Sequence, residues 1–125
     1  MCLERNIKLT FIPDEALPLL QLDASLFEQV LLNIIKNSVE SIEQDGEITI
    51  TTNAHKLSLE IADTGKGISK EIESKLFNPF FSSKPMGQGL GLLFIREVLS
   101  QHACNYSLRT YDDGLTRFVV RFEER

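Results

Sequence analysis

The sequence predicts an α+β fold: a two-layer sandwich in which a mixed, mostly antiparallel sheet carries about three helices on one face. Three observations predict it. Several short segments alternate apolar and polar residues, two longer ones repeat apolar residues at helical spacing, and Asp-, Asn- and Gly-bearing turns join the short segments in pairs. A length of 125 residues fits one domain spanning 1–125, and 42% hydrophobic with 25% charged residues is the composition of a chain that buries a core and folds alone.

Ile7, Leu9 and Phe11 alternate with Lys8 and Thr10 as a first strand, and Leu19 to Leu22 follow the Pro13-Asp14-Glu15 turn as a second. From Ser25 to Glu43 the apolar spacing is helical, opened by Asp23 as N-cap or by a Ser25/Glu28 capping box and closed by Gln44-Asp45-Gly46. Glu47–Thr52 and Leu57–Asp63 form a hairpin through Asn53-Ala54-His55-Lys56. Ser69 caps a short helix to Lys75, and residues 77–88 have no clear period. A second long helix runs from Leu90 to Ala103, with Asn105 as its expected left-handed stop. Tyr106–Tyr111 and Thr116–Glu123 flank the Asp112-Asp113-Gly114 hairpin turn. The sum is five or six strands and three helices.

Composition excludes several functions. A net charge of −5 with no Lys/Arg cluster argues against a nucleic-acid surface. Cys2 and Cys104 form neither a disulfide framework nor a zinc pattern. No apolar run approaches the ~20 residues of a membrane span, and Met1-Cys2-Leu3-Glu4-Arg5 does not read as a signal peptide. A cytoplasmic segment with no direct membrane contact, monomeric in isolation, is expected.

Polar residues interrupt the apolar pattern in three places. Asn33 and Asn37, four residues apart, share one face of the first helix with Leu26 and Val30. An Asn amide oxygen can complete a magnesium shell otherwise made of phosphate oxygens and water. Asp63 continues the apolar phase of Leu57, Leu59 and Ile61, so its carboxylate points inward, where the exocyclic amine of a purine is an apt donor. Gly65 and Gly67 let the chain turn against a planar ligand. Gly87-Gln88-Gly89-Leu90-Gly91-Leu92 runs into the second long helix, where glycines expose N–H groups to phosphate; it is neither a Walker A loop nor a dinucleotide fingerprint. Thr116 repeats the logic of Asp63, sharing the phase of Phe118, Val120 and Phe122. Taken singly, each has an ordinary structural reading: a solvated helix face, a turn, a flexible connector, a hydroxyl bonded to its own backbone.

In this order the motifs resemble the Bergerat-fold ATPases, and within them the catalytic domain of sensor histidine kinases. Phe27 to Ser38 is similar to that family's N box, Asp63 to Ile68 to its first glycine box, Leu76 to Lys84 to its F box and Gly87 to Leu92 to its second glycine box. The resemblance implies ATP and Mg2+ as ligands. It implies that Asn37 helps hold the magnesium ion, that Asn33 lies beside the phosphates and that Asp63 binds the adenine amino group. Gly65 and Gly67 would line the base site and Thr116 would support the Asp63 end through water. Gly87, Gly89, Leu90 and Gly91 would contact phosphates, and Lys84 would reach the terminal ones. Two positions depart from the family: Glu40 stands where many members carry a basic residue, and His102-Ala103-Cys104-Asn105 stands where glycines are usual.

The hydrolytic relatives, gyrase and the mismatch-repair ATPases, place a general-base Glu where this chain has Asn33, so slow hydrolysis is expected. Neither His55 nor His102 resembles the family's phosphoacceptor box, a helical His followed by an acidic residue. Each reads as a surface or helix-end histidine. The resemblance therefore implies a phosphodonor domain, a fragment of a longer kinase. Its partners would be a histidine-bearing dimerisation domain and, through that domain, a response regulator. The alternatives are a switch ATPase of the same fold and a non-catalytic nucleotide-sensing module. Pro79 to Gln88 are expected to be mobile without nucleotide.

Overall fold

A computed structural model describes residues 6–16, 22–75 and 88–122, with the backbone alone for 88–91. Its elements run β1 (Ile7–Ile12), α1 (Ala24–Ile42), β2 (Gly46–Asn53), β3 (Ser58–Asp63), α2 (Lys70–Glu73), α3 (Gln88–Gln101), β4 (Asn105–Thr110) and β5 (Thr116–Arg121). The five strands form one sheet in the order β1-β2-β3-β5-β4; β1 runs parallel to β2 and all other pairs are antiparallel. The expected mixed, mostly antiparallel sheet is present.

α1 starts where its chemistry dictates. The Asp23 side chain accepts the Leu26 N–H at 3.0 Å, satisfying one of the amides a helix start leaves unpaired. Of the two sequence options, Asp23 is the cap. Phe27, Val30, Ile34 and Val39 form its buried stripe, and Leu92, Ile95, Val98 and Leu99 supply that of α3. Both helices close over Ile48, Ile61, Phe118 and Val120, which alternate along the covered face of the sheet. Fully burying one such aliphatic side chain contributes roughly 1.5–3 kcal/mol. The opposite face carries Thr49, Thr51, Glu60, Arg117 and Arg121 and stays polar.

Several sequence expectations shift. Ile7 is buried, but Leu9 and Phe11 of the same phase remain 47% and 61% exposed, because β1 is an edge strand. Leu22 precedes α1 outside any strand, so the second opening strand does not reach it; residues 19–21 lie outside the described residues. Leu57 closes the β2–β3 hairpin at φ 48°, so β3 begins one residue later than the alternation implied.

The stop of α3 is Ala103 rather than Asn105. Ala103 sits at φ 55°, the Cys104 N–H reaches back to the Leu99 carbonyl at 2.9 Å and the Ala103 N–H to Ser100 at 3.2 Å. This pair of bonds is the Schellman arrangement, which favours glycine at the left-handed position. Asn105 instead opens β4.

Candidate functional site

The ends of β3 and β5 and one face of α1 enclose a cavity of about 330 Å3, with walls that include Ile34, Ile61, Ile68, Ile72, Leu92, Leu108 and Phe118. Apolar walls with a few converging polar groups suit a flat, partly polar ligand. The polar lining includes Asn37, Ser38 and Ser41 from α1, Asp63 and Thr116 from the sheet, and Lys66 and Ser69 from the loop between.

Asp63 is 4% exposed. Desolvation pushes its carboxyl above the usual carboxylate range, opposed by hydrogen bonds from the Gly65 N–H and from the Ser38 hydroxyl. The Gly65 bond is 2.9 Å long and reaches Oδ1. Thr116, also 4% exposed, faces Asp63 directly in the β3–β5 register. Two strands thus end on polar side chains at one level of the core.

The loop after Asp63 is fixed at several points. Thr64 exchanges backbone and side-chain bonds with Glu47, the Lys66 N–H donates to the Ser41 carbonyl at 3.3 Å, and the Ile68 N–H donates to Thr110 Oγ1 at 2.7 Å. A Cβ at Gly65 would run into the Ser41 hydroxyl and lie 2.8 Å from Asp63 Oδ1, so only glycine fits. Gly67 is a glycine for its backbone, at φ 83°.

The structure brings together Asn37, Asp63, Gly67 and Thr116 as cavity-lining residues, with Gly65 buttressing the loop behind them. Asn33 lies one turn back on α1, half-buried and outside the cavity lining. Gly89, Leu90 and Gly91 lie in the first turn of α3, which begins at Gln88, two residues earlier than expected. In a helix that begins at Gln88, the N–H groups of Gln88, Gly89 and Leu90 have no intrahelical acceptor, whereas that of Gly91 is the first to have one. Lys84 and Gly87 lie outside the described residues, as do Phe77, Phe80, Phe81 and all of the expected mobile stretch before Gln88.

Sequence reasoning passed over three residues. Ser38 interrupts the buried stripe of α1, Ser41 extends the polar line of Asn33 and Asn37 by one more helical turn, and Thr110 shares the inward phase of Tyr106 and Leu108 in β4. The rule applied to Asp63 and Thr116, a polar residue ending an apolar phase, also picks out Thr110. Among the described residues no three His, Cys, Asp or Glu side chains cluster as a metal cage, so an ion here would take most of its ligands from a bound phosphate and water. Asn37, with its neutral amide oxygen, fits that minor role.

His102 is more than a surface residue. Its Nδ1 lies 2.8 Å from the Val98 carbonyl, its Nε2 accepts the Asp23 N–H at 3.2 Å, and its ring meets Phe27 edge-on at 4.9 Å. It fastens the end of α3 to the start of α1. His55 lies in the β2–β3 turn.

Residues 22–125 match the family of histidine kinase-, DNA gyrase B- and HSP90-like ATPases. The chain is 36% identical over 118 residues to the sensor histidine kinase ZraS of Escherichia coli strain K12, covering 93% of this chain and 25% of that protein. It is 35% identical, over a 133-residue alignment, to the sensory histidine kinase/phosphatase NtrB of Klebsiella oxytoca, covering 96% and 38%. The chain therefore spans well under half the length of these relatives. A nucleotide-free catalytic domain of the histidine kinase ThkA superposes with a TM-score of 0.81 at 26% identity, over 95% of this chain and 81% of that one. The cavity between α1 and the sheet, ended by Asp63, belongs to a fold shared with that kinase domain, and the chain is a member of the histidine kinase-, DNA gyrase B- and HSP90-like ATPase family.

Proposed function

We propose that this chain, as a single domain of a longer protein, binds ATP with magnesium and acts as the phosphodonor of a two-component sensor histidine kinase. The observation that carries the reading is the buried carboxylate of Asp63 at the end of an otherwise apolar cavity. A desolvated carboxylate is costly unless donors meet it, and an adenine amino group is such a donor.

Asp63 accepts the amino group, Thr116 supports the same edge, and Gly65 and Gly67 hold the loop against the ring. Asn37 contributes an amide oxygen to magnesium, which when bound neutralises charge on the phosphates. Asn33 lies towards the phosphates. Backbone N–H groups in the first turn of α3, at Gly89, Leu90 and Gly91, serve the phosphate chain in this reading. Transfer needs alignment and charge neutralisation more than protein chemistry. An imidazole nitrogen attacks the γ-phosphorus, the bond to the β–γ bridging oxygen breaks, and ADP leaves.

The acceptor is a histidine on a dimerisation domain, which in turn serves a response regulator. His55 and His102 are unsuited, one in a turn and the other with both ring nitrogens engaged. Asn33 supplies no general base for water, so ATP is held rather than hydrolysed. No helix among the described residues is long and apolar enough to cross a membrane, and a domain that uses ATP belongs in the cytoplasm.

Calorimetry with a non-hydrolysable ATP analogue and magnesium, on wild type and Asp63→Ala, tests the base site; equal affinities would rule it out. Mixing the chain with a dimerisation domain and scoring acid-labile phosphohistidine tests the transfer. Robust ATPase activity of the chain alone would favour a switch ATPase instead.

A further inference from the structure

Thr110 lies behind the cavity wall, yet its hydroxyl is among the most heavily engaged groups near it. Thr110 Oγ1 accepts the Ile68 N–H at 2.7 Å and lies 2.8 Å from Thr116 Oγ1. The Thr110 N–H donates to Glu73 Oε1 at 3.0 Å, and a Cβ at Gly67 would meet the Thr110 hydroxyl at 3.2 Å. Thr110 faces Thr116 in the β4–β5 register as Thr116 faces Asp63 in β3–β5, so the three stand in one row across three strands.

Either hydroxyl can donate in the bond between the two threonines, and the direction is set by where the remaining proton finds an acceptor. A hydroxyl has one proton and two lone pairs. If Thr116 donated, Thr110 Oγ1 would accept twice, and its own proton would need a further acceptor; none is present among the described residues. With Thr110 donating, it is the Thr116 proton that lacks a protein acceptor, and it is left to the cavity that Thr116 lines, where a ligand's ring nitrogen would accept it and leave every group used.

We propose that Thr110 is a positioning residue for base recognition, turning the Thr116 hydroxyl into a donor so that it and the Asp63 acceptor together select an amino-purine edge over an oxo-purine edge. An amino-purine presents an N–H donor beside a ring-nitrogen acceptor, matching Asp63 and Thr116, directly or through one water. An oxo-purine presents the reverse: a carbonyl beside a ring N–H. The inference rests on the reading of Asp63 and Thr116 as base-binding residues.

Calorimetry with ATP and with ITP, each with magnesium, on the 125-residue chain tests it. Thr110→Val weakens ATP binding by about 5- to 10-fold, the effect of one lost hydrogen bond, and brings the ATP and ITP affinities closer together. Thr110→Ser, which keeps the hydroxyl, restores both the affinity and the preference. Thr116→Val loses as much as Thr110→Val, and the double variant loses no more than Thr116→Val alone. If Thr110→Val does not fold, Thr110→Ala removes the same hydroxyl with more room for water and carries the same expectations. Wild-type affinity and selectivity in the Thr110 variant while Thr116→Val is impaired would overturn the role of Thr110 alone, as would losses that simply add. Wild-type ATP binding by Thr116→Val, with Asp63→Ala impaired, would overturn it together with the base role of Thr116. Wild-type binding by Asp63→Ala would remove the underlying reading itself.

Discussion

Asp63 and Thr116 are paired across β3 and β5, each the last or first residue of its strand and each 4% exposed. Burial raises the pKa of the Asp63 carboxyl, so the charged form costs the domain stability. That relationship sets the first prediction.

Asp63→Asn removes a desolvated charge. Burial raises the folded-state pKa of Asp63, so the folded chain holds that proton more tightly than the unfolded chain does. Stability from this group is then fully present below the unfolded carboxyl pKa and is lost as pH rises through the raised folded value. At neutral pH the nucleotide-free Asp63→Asn variant therefore unfolds at higher urea concentration than wild type. The two denaturation curves draw together as pH falls towards the unfolded pKa. With Asp63 as the proposed acceptor of the adenine amino group, ATP affinity is expected to drop about 10- to 100-fold in the same variant, the effect of losing a hydrogen bond to a charged group. Urea titrations at several pH values, with calorimetry alongside, check both halves.

Gly65 has no space for a side chain, so Gly65→Ala forces Ser41 and the loop apart. The expected cost is about 1–3 kcal/mol of stability, typical of overpacking, with weaker nucleotide binding. Adding Ser41→Gly to the same chain returns part of both. No recovery in the double variant would mean that the contact with Ser41 is not what excludes alanine.

Ala103 occupies the left-handed stop of α3 at a conformational cost that glycine does not incur. Ala103→Gly is expected to stabilise the domain by about 0.5–1 kcal/mol, after allowing for the greater freedom of glycine in the unfolded chain. Thermal unfolding should show a midpoint a few degrees higher. An unchanged or lower midpoint counts against the Schellman reading.

His102 bridges two helices with both ring nitrogens, which requires the proton on Nδ1 so that Nε2 can accept from Asp23. Nitrogen-15 spectra of the imidazole at neutral pH should show that single tautomer. His102→Ala should cost about 1–3 kcal/mol, because it strands the Asp23 amide and removes the ring packed on Phe27. A mixed-tautomer ring in the spectra would break this account.

The mixed sheet, the two long helices and the inward turn of Asp63 and Thr116 were all legible in the sequence, because periods of two and 3.6 residues are properties of the chain itself. The N-cap at Asp23 and the turn at Gly114 were legible for the same local reason. The sequence could not say which strand neighbours which, nor which strand lies at an edge. Leu9 and Phe11 alternate as core residues do, yet β1 ends the sheet and leaves them exposed. Left-handed stops at Leu57 and Ala103 carried no Gly or Asn to announce them; the fold imposes them against residue preference.

By itself, the sequence determined which residues are polar where the core should continue, because that depends only on the phase of each segment. Only the tertiary structure decided which of them meet. It aligned Thr110, Thr116 and Asp63 in one row through the β3-β5-β4 order, and it brought Ser38 and Ser41 from α1 against Asp63 and Gly65. Strand order and helix docking are set by long-range burial, which no local period encodes, and they turn separate polar interruptions into one polar cluster.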